Sequence, residues 1–191
     1  MSRTEHKTGN RTNWGVRMNA VLDKLAGRDR RSIGRSNEVV ADVLRNPTLF
    51  NEVFNGMLAD DPVIRMRSAD ATEKITAKHP EYLRGYKRKL IYNVASIEQQ
   101  EVRWHVAQMV PRLALTEQES KAVVETLMNY LLDRSSIVRT FAMQALADLA
   151  EKQASLRPRV VELLEKLTRT GSPAMKSRGR KLLKKLRPIE V

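Results

Sequence analysis

Apolar residues recur at three- and four-residue steps along most of the chain, the spacing that lines one face of an α-helix. Four such stretches superpose. Val53, Leu90, Leu127 and Leu164 follow one another at a constant interval of 37 residues, and Phe54, Ile91 and Met128 keep the same register until Glu165 breaks it. A second set lies farther along each unit. It reads Ile64-Arg65, Val102-Arg103, Val138-Arg139 and Met175-Lys176, at intervals of 38, 36 and 37 residues. One residue is gained before Val102 and lost again before Val138. This double register predicts two amphipathic helices per period. First helices are expected over 47–58, 81–95, 117–132 and 156–169, and second helices over 62–78, 100–114, 136–152 and 173–187.

Residues at the expected turns agree with this division. Asp60 or Asp61, Glu98 and Asp133 stand shortly before the arginine in the first three units, and Asp and Ser are favoured where a helix begins. Pro62 and Pro173 suit a first helical turn, where a missing N–H leaves no bond unmade. Ala69, Ala71, Ala107, Ala142 and Ala145 let second helices approach closely, while leucine and valine rows fill the space between them.

An acidic turn, a gap, Val-Arg, then Ala142 and Ala145 and a closing Leu146 and Leu149 resembles a HEAT repeat. The match is close in the third unit and fair in the first two. It is weak in the fourth, where Lys176 replaces the arginine and Gly179 the small apolar residue. The period is shorter than the ~40–47 residues of HEAT and armadillo units, and the tryptophan, glycine and tyrosine signature of the ~34-residue tetratricopeptide unit is absent. The resemblance covers residues 46 to 187. It implies an all-α protein, an α-solenoid of about four HEAT-like helical hairpins (46–79, 80–115, 116–153 and 154–187) within an array over 46–191 and a single structural domain. A lone hairpin cannot bury its apolar face, and stacking the next one on it extends one core. Arg65, Arg103, Arg139 and Lys176 are then expected as an inter-repeat ladder. Each would pair with an acidic turn residue of its own or the adjacent unit, since a cation that recurs at one register position reads as structural and not catalytic.

Ahead of the array, residues 13–26 form an expected amphipathic helix through Met18, Val21, Leu22 and Leu25, stopped by Gly27. The basic loop GRDRRSIGRS (27–36) follows, then a helix carrying Val39, Val40, Val43 and Leu44. Residues 13–45 thus read as N-terminal capping helices, and 1–12 as a disordered tail.

Composition narrows the chemistry. Aromatics are 5% of the 191 residues, poor material for a β-sandwich. No cysteine is present, which excludes disulfides and thiolate metal sites and fits a reducing compartment. The polar N-terminus lacks the apolar core of a secretory signal, and no run reaches the roughly 18 apolar residues of a spanning helix. A soluble cytoplasmic protein without membrane contact is the expectation. His6, His79 and His105 lie at no metal-ligand spacing, and HExxH, P-loop, GxGxxG and GxSxG motifs are absent. No catalytic residue, metal, cofactor or small-molecule substrate is therefore assigned. Met109 and Met143 sit at core spacing. HEAT-like alkylpurine DNA glycosylases share the implied architecture, but Trp14 and Trp104 are the only tryptophans here, and no motif places that family's catalytic residues. Trp104 is expected to pack, partly buried, at a seam between units.

Charge supplies the main functional clue. The net charge is +13, and it is concentrated at the ends. Residues 1–45 carry ten cations against five carboxylates, 96–154 six against eight, and 155–191 eleven against three. The last helix, PAMKSRGRKLLKKLRP, sets Lys176, Arg178, Arg180, Lys181, Lys184, Lys185 and Arg187 around Met175, Leu182, Leu183 and Leu186, with no acidic residue. A solvated cap needs polarity but not a single sign. In the arrays this chain resembles, second helices line the concave face. The positions there are Arg67, Asp70 and Lys74, then His105, Gln108 and Arg112, then Gln144 and Asp148, then Arg178, Lys181 and Lys185. The candidate partner-binding residues are Arg67, Lys74, His105, Arg112, Arg178, Lys181, Lys184 and Lys185. The expected function is a non-catalytic scaffold module that recognises an acidic protein surface. Sequence-independent contact with a DNA or RNA backbone is the alternative, and a glycosylase a more distant one. Aromatics interleaved with cations, which single-strand binders use for stacking, are scarce.

Overall fold

The periodic stretches become helices where their turns carry the right chemistry. A computed structural model describes residues 20–29 and 31–187. The expected tail and the first part of the 13–26 helix, with His6, Trp14 and Met18, lie outside the described residues. Among those described there are ten α-helices and no strand. They are α1 (20–25), α2 (Ser36–Arg45), α3 (Phe50–Gly56), α4 (Pro62–Lys78), α5 (Lys87–Tyr92), α6 (Gln100–Met109), α7 (Glu117–Tyr130), α8 (Ser136–Lys152), α9 (Arg157–Thr170) and α10 (Pro173–Leu186).

Helix starts are fixed by side chains that take up otherwise unpaired N–H groups. Asp61 accepts from the Val63 N–H at 2.7 Å, with Pro62 at the first helical position of α4. Thr116 and Glu119 form a reciprocal capping box at α7. Ser172 accepts from the Met175 N–H at the start of α10. Asp133 does not stand at the N-cap of α8: Ser135 does, without a side-chain capping bond of its own, and Asp133 accepts from the Ser135 N–H at 2.8 Å.

Three expected helices are shorter than their periodicity. The 81–95 stretch divides into a 3₁₀ segment (Pro80–Tyr86), α5, and a 3₁₀ turn (Val94–Ser96). Pro80 and Gly85 are weak helix formers, and the tighter i→i+3 bonds use fewer residues per turn. The 100–114 stretch stops at Met109, because Pro111 has no N–H to continue α6, and a 3₁₀ turn (Val110–Arg112) follows. The 47–58 stretch likewise opens with a 3₁₀ turn at Pro47–Leu49 before α3.

The second helices pack in single file: α2 on α4, α4 on α6, α6 on α8 and α8 on α10. Beside them α3 packs on α4, α7 on α8 and α9 on α10, while α5 reaches α6 through the Val94–Ser96 turn. The register residues Val53, Leu90, Leu127 and Leu164 are each 0% exposed. Val102, Val138 and Met175 are buried with them, as are Met109 and Met143. Each such leucine contributes about 2–3 kcal/mol of transfer free energy. Gly179 marks a close approach: a Cβ there would collide with the Thr168 hydroxyl, so glycine is what lets α9 lie against α10. No helix among the described residues is long and apolar enough to cross a membrane.

Candidate binding surface

The recurring cation occupies one position in every hairpin. Arg65, Arg103, Arg139 and Lys176 each donate the backbone N–H that makes the first helical bond to an N-cap carbonyl, of Asp61, Gln99, Ser135 and Ser172 in turn. Their side chains diverge. Arg103 forms the expected rung, reaching Asp133 of the next turn at 2.6 Å and its own Glu98 at 3.6 Å. It also lies over the Tyr130 ring at 5.4 Å, while the Tyr130 hydroxyl donates to the Ala95 carbonyl at 2.7 Å. Burial pushes that hydroxyl's pKa above its ordinary value. Arg65 corrects the expectation: its Nε donates to the amide oxygen of Gln99 at 2.9 Å and its Nη1 to the Ala59 and Asp60 carbonyls, with no carboxylate involved. Neither Arg139 nor Lys176 has an ion-pair partner among the described residues, and the Arg139 Nε is sealed from solvent without an acceptor.

The expected concave ridge is mostly engaged internally. Arg67 is 5% exposed and is not a surface group. Its guanidinium donates to the carbonyls of Leu25 (3.1 Å), Ala26 (2.6 Å), Asp29 (3.0 Å) and Ser32 (3.1 Å). Leu25 ends α1 and Ala26, Asp29 and Ser32 follow it, so no further helical turn takes up those carbonyls and one arginine does. Gly34, at φ +55°, permits the fold of that loop, and a Cβ there would sit 2.6 Å from the guanidinium carbon. His105 is also buried, which corrects its placement as a binding residue. Burial lowers its pKa to about 4 despite the nearby carboxylates of Asp70, Glu73 and Glu101. The Gln108 amide nitrogen lies 3.3 Å from both the Trp104 carbonyl and His105 Nδ1. It donates to both, which leaves the imidazole proton on Nε2.

Bonds between neighbouring second helices absorb most of the rest. Lys74 donates to Asp70 (2.7 Å) and Asn37 (2.8 Å), and Ser36 donates to the same Asp70 carboxylate. Arg112 pairs with the Glu73 carboxylate and donates to the Thr76 hydroxyl at 2.9 Å. Arg178 donates to Gln144 at 2.7 Å, and Gln144 in turn to Asp148 at 2.8 Å. Lys185 reaches Glu151 at 2.6 Å, a bond that raises its pKa. A cleft of about 530 Å³ lies among these groups, bordered by Arg112, Phe141, Gln144, Asp148, Lys152 and Arg178. Trp104 is half-buried beside a slot of about 390 Å³ that it shares with Met66 and Ile33.

What stays open is the outer side of α10. Arg180, Lys181 and Lys184 are exposed and make no ion pair with the described residues. At 3.6 residues per turn they share one side with Ser177, opposite the buried Met175, Gly179, Leu182 and Leu186. One group of note carried no periodic signal in the sequence. Glu52 is 7% exposed on α3, and burial alone raises its pKa to about 7. Arg139 looked like its neighbours in the ladder, and the absence of an acidic residue from Leu167 to Ser177 was the available sign that it would differ. Among the described residues no group of His, Asp and Glu is placed to hold a metal ion.

A scan against protein-family models, a search of curated proteins and a search of solved structures each return no match.

Proposed function

We propose that the chain is a short α-solenoid of HEAT-like hairpins that works as a non-catalytic binding module for an acidic protein surface, with α10 as its principal contact. The single-file packing of α2, α4, α6, α8 and α10 supports the repeat reading. The observation that carries the functional reading is the contrast in charge pairing. Lys74, Arg112, Arg178 and Lys185 already have partners on the chain, whereas Arg180, Lys181 and Lys184 project from a helix with no carboxylate of its own. Unpaired cations of one sign attract an anionic surface and raise the rate of encounter with it.

The test is fluorescence anisotropy of a labelled oligoglutamate peptide, a duplex DNA and an RNA hairpin, each titrated with the full chain at low and near-physiological salt. The acidic peptide should bind, and Lys181→Glu with Lys184→Glu should weaken it by about tenfold or more. Equal binding by the variant would overturn the reading. Tighter binding of the nucleic acids, with steep loss as salt rises, would replace it with backbone recognition.

A further inference from the structure

The ladder along the turns is complete at two rungs and open at the third. Arg65 is held by Gln99, the N-cap of α6, and Arg103 by Asp133, two residues before the N-cap of α8. The corresponding places in the fourth turn are Ser172 and Thr170, neither of which is a carboxylate or an amide. Arg139 occupies the register position of Arg65 and Arg103 and makes no side-chain hydrogen bond with a described residue. Its Nε–H is buried and unanswered, as is that of Arg157, whereas the Arg139 Nη groups, also without a hydrogen bond to a described residue, reach solvent; buried polar groups usually have a partner.

We propose that a carboxylate of a partner protein completes this third rung, docking on the turns of the α7–α8 and α9–α10 hairpins. This rests on the acidic-partner reading and names a second, separate contact for it. The surroundings fit such a group. Arg134 is exposed in the α7–α8 turn and Arg169 in the last turn of α9, and Asp133 is already neutralised by Arg103. The apolar surface fits as well: Leu132 is 84% exposed and Ile137 48%, two large hydrophobic side chains in the third turn and at the start of α8. The complementary segment is therefore an acidic residue flanked by apolar ones, its carboxylate accepting from the guanidinium fork. A nucleic-acid phosphate would answer the arginines but not Leu132 and Ile137.

The experiment uses two fluorescein-labelled peptides, one with a central Leu-Glu-Leu between Gly-Ser flanks and one with Leu-Gln-Leu. Both are titrated with the full chain by anisotropy at near-physiological salt. The acidic peptide should bind at least about tenfold tighter than the amide one, and Arg139→Gln should abolish that preference. Thr170→Asp keeps Arg139 and supplies a carboxylate where Asp133 stands in the preceding turn. It should also cost about tenfold while raising the melting temperature, so that a folding defect cannot account for the loss. Lys181→Glu with Lys184→Glu should change this peptide's affinity by less than about threefold. Binding that is indifferent to Glu against Gln, or unchanged in both Arg139→Gln and Thr170→Asp, overturns the proposal. Loss in the α10 variant alone overturns it while leaving the α10 contact standing.

Discussion

Arg67 and Lys181 fall on the same expected ridge, at opposite ends of the file of second helices, and meet opposite fates. Arg67 is enclosed by the end of α1 and the loop after it, and its guanidinium takes up four of their carbonyls. Lys181 is exposed and makes no ion pair with a described residue. Lys181 stands in register with Asp70, one turn beyond the position of Arg67, so the ridge holds both without making them equivalent. The chain that covers Arg67 is aperiodic, and a repeat register can place a side chain on a face but cannot say whether the face is free.

The sharpest way to break this comparison is to remove both groups. Arg67→Ala leaves four carbonyls without a donor inside the fold and should cost about 3–5 kcal/mol in urea unfolding. Lys181→Ala should stay within about 0.5 kcal/mol. A small loss at Arg67 would mean that the loop is held by something else.

A pH series sharpens the same contrast, because two strongly displaced groups, Glu52 and His105, both belong to the amino-terminal and central helices. The Glu52 carboxyl is raised from 4.5 to about 7, so the unfolded chain ionises first and stability falls as pH rises through that window. His105 is lowered from 6.5 to about 4, so the unfolded chain takes the proton first and stability falls as pH drops from 6.5 towards 4. Between 4.5 and 6.5 the two slopes oppose each other. Glu52→Gln should therefore uncover the His105 slope and stabilise the chain above pH 7 by up to about 3 kcal/mol, read from denaturant midpoints. An unchanged pH profile would place the Glu52 carboxyl in water.

The smallest of these effects compares a filled rung with an open one. Arg103→Gln breaks a charge-assisted bond to a mostly buried Asp133 and should cost about 1.5–3 kcal/mol. Arg139→Gln loses no such bond and should cost less than about 0.5 kcal/mol in the isolated chain. Equal costs would show that the third rung is already closed.

These contrasts also mark what the sequence could tell. The hairpin register was readable because burial at Val53, Leu90, Leu127 and Leu164 demands the same residue type at one interval, and all four are in the core. Pro62, Asp61 and Pro173 marked two helix starts for local reasons that need no tertiary knowledge. The division of 81–95 was not readable, since Leu90, Ile91 and Val94 keep apolar spacing across 3₁₀ and α segments alike. Of the candidate contact residues, Lys181 and Lys184 stand where polarity put them. Arg67, His105 and Arg112 do not, because their partners lie 32 to 42 residues away in sequence or depend on how deeply α4 and α6 sink beneath the basic loop. Charge counting finds cations; it cannot find which carbonyl or carboxylate has already claimed them.

The Arg67 knot also bears on the order of assembly. The carbonyls it gathers belong to residues 25–32, which lie 35 to 42 positions earlier in the chain. A segment without regular structure has nothing to hold it until α4 exists and is docked, and closing so long a span brings its entropy cost before any reward. The amino-terminal helices are thus expected to join late, after α4 and α6 have paired. A contact made that late governs the rate of unfolding far more than the rate of folding. The arginine that ties down the first loop therefore acts as a latch on the native state's lifetime.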